Sequence, residues 1–297
     1  IETALRSIIK QSLAPAELIV IDDGSTDNST SIIDLVLRQC SFPCELIARE
    51  NRGLCATLNE GLARAQSEYF AYLGSDDLWL PGFLKARAEL LDDRPAAVLA
   101  YGHAYFVDEE NRVVDCTADW ANYVDGDARQ MLLSTIAPMS PTVVYHREAL
   151  ARHGWNEAAR LEDYELYLRL CAEGEFAFDP RALSAWRRHR TNVSWDQKLM
   201  LAEQLKAQRE AAQRFGLTES EISKLQTVTR FQRAEDFLRI GDKPQALRLM
   251  LKNISGVRSV SSLARMLFRL GTPFSLMGRY HEAKARKTEE RVGRLSI

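Results

Sequence analysis

Two stretches of this chain share one pattern: a short apolar run that ends abruptly on paired aspartates. In "ELIVIDDGSTDNST" the run 18–21 stops at Asp22-Asp23-Gly24, and in "YFAYLGSDDLWLPGF" the run 69–73 stops at Gly74-Ser75-Asp76-Asp77. A continuous apolar run of this length suits a strand buried on both faces of a parallel sheet. Between the two runs lie a helical pattern at 29–39, a second strand at 44–48 and the loop-to-helix stretch "ENRGLCATLNEGLARAQ". Strands alternating with helices in this way imply an α/β fold with a mainly parallel sheet. Such sheets bind ligands outside the carboxyl ends of their strands. Asp22, Asp23, Asp76 and Asp77 are therefore expected to line one crevice. Aspartate is also a common helix N-cap, and capping would account for either pair alone. The recurrence at one sheet edge is what points to a ligand.

From residue 97 the pattern changes. "AAVLAYGHAYFVDEENRVVDC" reads as two strands joined by a turn at 108–111, and "SPTVVYHREAL" as a strand entering a helix. "RLEDYELYLRLCAEGEFAFDP" is a helix ending near Gly174, and "ALSAWRRHRTNVS" a strand that runs into a basic loop. Beyond Trp195 only helical spacing remains, at 196–215, 218–240, 243–253 and 260–270, broken by Gly216, Gly241, Gly256 and Gly271. The chain thus divides into an α/β domain, 1–195, and an α-helical C-terminal region, 196–297. Segment 257–292 is basic with Leu, Met and Phe interleaved. That suits either a membrane-surface helix or the solvated face of a helical bundle. The opening "IETALRSIIKQSL" is already an amphipathic helix, with Ala4, Leu5, Ile8, Ile9 and Leu13 at helical spacing.

Composition narrows the partners. A chain of 297 residues with 46% hydrophobic and 27% charged residues is a globular protein with a substantial core. Its formal charge of −2 argues against nucleic acid as a partner. Five cysteines, 40, 44, 55, 116 and 171, lack paired metal-ligand spacing and are expected as reduced thiols of a cytoplasmic protein. No apolar run reaches membrane-spanning length and no signal peptide is recognisable. Contact with the inner face of the plasma membrane would then fall to the C-terminal helices.

The chemistry sits in three acidic clusters, Asp22-Asp23, Asp76-Asp77 and Glu162-Asp163, and in the basic run Arg187, Arg188, His189 and Arg190. Carboxylates on a sheet edge with basic groups nearby suit a metal-bound diphosphate, because hard oxygen ligands hold Mg²⁺ or Mn²⁺ and the cation bridges phosphate oxygens. A further carboxylate, away from the metal, can serve as general base on a hydroxyl nucleophile.

Taken in order, "ELIVIDDGSTDNS", "ENRGLCATLNEGLARAQSEYFAYLGSDDLWLPGFL", "SPTVVYHREAL", "LEDYELYLRL" and "WRRHRTNVS" resemble the motif set of family 2 glycosyltransferases over roughly residues 1–195. The resemblance implies a GT-A (Rossmann-like) fold, a nucleotide-diphospho-sugar donor and inversion at the anomeric carbon. It implies that Asp23, with Asp22 beside it, contacts the donor's base and ribose, and that Arg52 and Asn59 flank the nucleotide. Asp76 matches the cation-binding aspartate of the D-x-D motif, with Asp77 next to it, and Asp163 of the Glu162-Asp163 pair matches the catalytic base. Arg187 and His189 fall where the family places groups near the diphosphate or the closing loop. The acceptor implied is a saccharide or lipid-linked saccharide in bacterial surface polysaccharide assembly.

Two departures stand out. Gly74 occupies the place of the first D-x-D aspartate, which weakens the expected ribose contacts. The family's opening strand with a Pro-x-Tyr-Asn-like segment has no counterpart here, which suggests a truncated sequence and an inner strand missing from the sheet. Two other readings stay open on the residues alone. One is a sugar nucleotidyltransferase, although the Gly-rich phosphate loop it would want near its first strand is missing here. The other is a non-catalytic degenerate transferase whose helical tail docks a partner enzyme, for which Gly74 is the best support.

Overall fold

The structure, a computed structural model, describes residues 1–189 and 196–295. Helix α1 (Glu2–Ile9) buries Leu5 and Ile8 on the face its spacing foretells, while Leu13 lies beyond it and is exposed. Strands β1 (Leu18–Asp22) and β2 (Cys44–Ala48) pair in parallel around the crossover helix α2 (Ser29–Leu37). They form a two-stranded sheet of their own. After α3 (Leu54–Arg64) come β3 (Tyr69–Phe70), β4 (Leu78–Trp79), α4 (Phe83–Asp92) and β5 (Ala97–Val107). Then follow β6 (Val113–Cys116), α5 (Arg129–Leu133), β7 (Val144–His146), α6 (Arg147–Ala151), α7 (Glu162–Leu170) and β8 (Glu175–Arg187). The main sheet has the order β3-β7-β5-β8-β4, with β6 added to β5.

The architecture is α/β with a helical C-terminal region, as expected, but the main sheet is mixed rather than mainly parallel. β5 and β8 run parallel, whereas β3–β7, β5–β7, β5–β6 and β4–β8 are antiparallel. The β5–β6 link, 108–112, is too short for a crossover, so the chain turns straight back. The run 69–73 also makes a shorter strand than its composition suggests. Only Tyr69 and Phe70 pair, and the Asp77 N–H closes a turn on the Gly74 carbonyl at 3.1 Å. The acidic pair Asp76-Asp77 therefore sits in a turn between β3 and β4.

The long central strand β5 carries the core. One side packs Leu99 and Tyr101 against Leu58 of α3, Leu132 of α5 and Leu166, Tyr167 and Leu170 of α7. The other side packs Ala97 and Ala100 against Ile8 of α1 and Phe83 and Leu91 of α4. Burying a leucine of this kind stabilises the fold by about 2 kcal/mol. The same packing fixes α7, and with it the Glu162-Asp163 pair at its N-terminus.

The C-terminal helices are α8 (Gln197–Arg214), α9 (Glu219–Arg239), α10 (Lys243–Lys252), α11 (Val260–Gly271) and α12 (Phe274–Val292). Asp196 caps α8, and Thr218 with Glu221 forms a capping box on α9. These helices have their own apolar cluster, including Phe231, Phe237, Leu249, Met250 and Met266. They also join the main core through Ala207, Ala211 and Ile222, and Gln208 donates to the Leu133 carbonyl at 2.7 Å. The expected boundary at 195 and the basic residue Arg190 lie outside the described residues. The end of α12 returns to the α/β region: Lys284 meets Asp115 at 3.1 Å, Arg291 meets Asp119 at 2.7 Å, and Val292 and Leu295 pack on Val107 and Val113. No described helix is long and apolar enough to cross a membrane.

Candidate active site

At the end of β1, Asp22 is buried and spent on local structure. Its oxygens accept from the Ser25 N–H at 2.7 Å and the Thr30 hydroxyl at 2.6 Å. The Thr30 hydroxyl first, and the Ser25 N–H next, hold its carboxyl below the usual range. Asp23 accepts from the backbone N–H groups of Arg52 at 2.9 Å and Gly53 at 2.8 Å, and from the Arg49 guanidinium. Burial pushes the Asp23 carboxyl up, but those N–H groups and the Arg49 charge outweigh it and leave it low. Arg52 contributes its backbone to this turn, while its side chain is exposed and 3.6 Å from Glu60. Arg49, which sequence reasoning passed over, also bridges to Glu60 at 2.9 Å.

The second edge is built differently. Asp77 is buried and accepts from the Arg187 N–H at 3.0 Å. Burial pushes its carboxyl up to about 8, and the charges of Asp76 and Asp163 add to the rise. Asp76 is turned outward, 2.6 Å from His189 Nε2. The Arg187 guanidinium braces the same turn, donating to the Asp76 carbonyl at 2.9 Å and to Asn111 Oδ1 at 2.7 Å. A Cβ at Gly74 would lie 3.1 Å from Asp76 Oδ1 and 3.2 Å from Asp77 Oδ2. Glycine at this position lets both carboxylates fold back over the turn.

Asp163 opens α7 and accepts from the Tyr72 hydroxyl at 2.6 Å. The resemblance places a base here, and the helix dipole alone would favour its charged form. Burial outweighs that effect and raises the Asp163 carboxyl, against the opposing pull of the Tyr72, Trp155 and Ser140 side chains. Glu162 is raised too, by burial first and by the Asp163 charge second. Tyr72 rests edge-on against Trp155, with ring centroids 5.7 Å apart. Trp155 is in turn fixed by Asn59, whose amide accepts from the Trp155 N–H at 2.7 Å and donates to its carbonyl at 2.9 Å. The neighbouring Gly154 has φ +59, and a Cβ there would sit 3.0 Å from Asn59 Oδ1. Asn59 thus reaches Asp163 through Trp155 and Tyr72. Tyr72 could have been found from the alternation in "YFAYL", which puts Phe70 and Tyr72 on one face. Trp155 carries no local signal.

The charge of Asp163 adds to the rise at Asp77, so the second and third acidic clusters lie within electrostatic reach of each other. The Asp22 carboxylate organises residues 25–30 and the Asp23 carboxylate the turn at 49–53. Among the described residues no set of three or more His, Cys, Asp or Glu side chains is arranged to hold a metal by itself. Asp76 and His189 nevertheless offer a hard oxygen and an imidazole nitrogen side by side. This pair fits a cation that is completed by phosphate oxygens and water.

Residues 1–154 match the family described as Glycosyl transferase family 2. Among curated proteins the chain is 30% identical over 192 residues to the succinoglycan biosynthesis protein ExoU of Rhizobium meliloti, covering 58% of this chain and 54% of that one. It is 27% identical over 153 residues to an uncharacterized glycosyltransferase of Nostoc sp., covering 50% of this chain and 47% of that one. The chain thus spans about half the length of these curated relatives. Among solved structures, S. aureus TarS 1-349 in complex with UDP superposes with a TM-score of 0.60 at 17% identity, covering 100% of this chain and 89% of that one. The mannosyltransferase PcManGT from Pyrobaculum calidifontis, in complex with GDP-Man and Mn²⁺, gives 0.57 at 18%, covering 98% and 84%.

Proposed function

The chain belongs to glycosyl transferase family 2 and has the GT-A fold, and on that premise we propose that it moves a sugar from a nucleotide-diphosphate donor to an acceptor hydroxyl with inversion. The acceptor is a saccharide or lipid-linked saccharide of bacterial surface polysaccharide assembly; the relative ExoU is named for succinoglycan biosynthesis. The enzyme works in the cytoplasm at the inner face of the plasma membrane, which its C-terminal helices touch. The reading is supported by two carboxylates with defined partners: Asp76 against His189, and Asp163 held by Tyr72.

Asp76 and His189 would hold Mn²⁺ or Mg²⁺, with Asp77 supporting from behind; the solved structure of PcManGT is in complex with GDP-Man and Mn²⁺. When bound, the cation supplies neutralisation of charge that develops on the phosphate oxygens. Asp23 fixes the Arg52–Gly53 turn that borders the nucleoside, and Arg187 keeps the acidic turn from opening. Asp163 takes the proton of the acceptor hydroxyl. That oxygen bonds to the anomeric carbon as the bond from this carbon to the diphosphate oxygen breaks on the opposite side. One displacement inverts the configuration. A carboxyl raised by burial is better matched to a base working near neutral pH than an ordinary one.

The experiment is a panel of UDP- and GDP-sugars with soluble saccharide acceptors, read by acceptor-dependent release of nucleoside diphosphate with and without Mn²⁺. The expected result is turnover with one donor class and an inverted linkage by NMR. Failure of every donor to bind or turn over would sink the reading.

A further inference from the structure

The described residues of 240–278 hold an unusual share of exposed apolar side chains. On α10, Ala246, Leu249 and Met250 face the helical core, while Leu247 and Leu251, one turn apart, face outward with Ile254 just beyond. On α11, Met266 is buried, with Leu263 and Leu270 packed beside it, while Val260, Leu267 and Phe268 point to solvent. Leu251 is 68% exposed, Phe268 70% and Val260 82%. Phe274 and Leu276 add two more at the start of α12. These elements converge: Lys243 Nζ donates to the Leu270 and Thr272 carbonyls, both at 2.8 Å, and the Phe274 ring lies over Gly241. The beginning of α10, the end of α11 and the first turn of α12 therefore meet at one corner.

Charge selects the occupant. Residues 240–278 contain six Lys or Arg against one Asp; Arg265 and Arg269 pair with Glu235 of α9 and Lys243 with backbone carbonyls, whereas Arg248 and Lys252 lie on the outer side. Arg248 and Lys252 are exposed and follow Leu247 and Leu251 directly in sequence, so each apolar side chain is flanked by a cation. A protein partner would be expected to offer the one-sided charge an acidic counter-surface. A leaflet rich in anionic headgroups offers that and an apolar boundary together.

We propose that α10, α11 and the first turn of α12 form an interfacial membrane-binding surface for anionic lipid. Leu251, Val260, Leu267 and Phe268 enter the boundary between headgroups and acyl chains, and Arg248 and Lys252 pair with lipid phosphate. This deepens the membrane contact suggested above and rests on that reading. It also moves the contact away from the end of α12, which is committed to Asp115 and Asp119.

The test uses the full chain and vesicles of equal parts phosphatidylcholine and phosphatidylglycerol, with phosphatidylcholine alone as reference. Wild type is expected to co-sediment with the anionic vesicles and to lose most binding to the neutral ones and at high salt. L251E combined with F268E is expected to weaken anionic-vesicle binding by about tenfold or more. Arg248→Gln with Lys252→Gln should weaken it severalfold and flatten the salt dependence. Melting temperature and turnover of a soluble acceptor should not change in either variant, since none of these residues touches the transferase site. Vesicle binding by L251E/F268E at the wild-type level would overturn the proposal. So would a wild-type dimer in sedimentation velocity that L251E/F268E dissolves, because the face would then meet a second copy. Vesicle binding that follows the proposal while no donor turns over would instead overturn the transferase reading.

Discussion

The two aspartate pairs look alike in sequence and end up in opposite electrostatic environments. Asp22 and Asp23 are surrounded by donors: Ser25, Thr30, Arg49 and the N–H groups of Arg52 and Gly53. Both carboxyls are held low, so the edge is charge-compensated by the protein itself. Asp76 and Asp77 see the Arg187 N–H and His189, together with one another and Asp163. Burial leaves Asp77 raised to about 8. The protein thus supplies fewer donors to the second edge than to the first. The comparison shows that an acidic pair at a strand end is only a candidate ligand site; the donors folded around it decide whether it stays one.

The widest gap between the clusters should appear in catalysis. Asp163→Asn should lower kcat by about a hundredfold or more with donor affinity near wild type, as read by steady-state kinetics and calorimetry; wild-type turnover would remove Asp163 from the mechanism. Asp22→Ala should leave kcat nearly intact and instead cost about 2 kcal/mol in urea denaturation, because it strands the Ser25 N–H and the Thr30 hydroxyl. The pH dependence of that loss has a definite sign. The Asp22 pKa is lowered in the folded state, so its stabilisation is present above the ordinary carboxylate range and is lost as pH falls through the depressed value. The mutant and wild-type curves should converge in acid.

Tyr72→Phe should act on the acidic limb of the rate. The base works deprotonated, so a raised carboxyl makes the rate fall as pH drops through that raised value. Removing the Tyr72 bond, which favours the charged form, should move the limb to higher pH. An unshifted profile would reduce Tyr72 to packing. In catalysis the smallest effect belongs to Asp77→Asn, whose signature without metal is in stability instead. Asp77 is raised when folded, so the stability tied to it is present at low pH and is lost as pH rises through about 8. The amide should therefore melt like wild type at low pH and increasingly above it as pH rises from the ordinary carboxylate range to about 8. A lower melting temperature in alkali would contradict the assignment.

Sequence reading succeeded where the signal is local. The run and acidic stop of β1, the full span of β2, the β5–β6 turn and the entry into α7 all follow from periodicity and turn residues. It fell short where partners are distant in the chain. Antiparallel return of β7 onto β5 and β3 leaves no mark in a strand of three residues. Arg187 reads as a basic residue available to a phosphate, yet its bonds run to Asp76, Asp77 and Asn111, 76 to 111 residues away. Asn59 reads as a residue flanking a ligand, and its bonds to Trp155, 96 residues on, carry no mark in the sequence. The exposed apolar side chains of α10 and α11 share the amphipathic spacing of buried ones, so only packing tells the two sides of those helices apart.

The contrast between the two edges reduces to one titration. Binding of UDP and GDP is measured by calorimetry with and without Mn²⁺ in wild type, Asp76→Asn and Asp23→Asn. The account expects Mn²⁺ to strengthen nucleotide binding to wild type, Asp76→Asn to bind weakly and equally with or without metal, and Asp23→Asn to bind less tightly while keeping its response to Mn²⁺. A full Mn²⁺ response in Asp76→Asn, or its loss in Asp23→Asn, would contradict the account by placing the cation away from the Asp76–His189 edge.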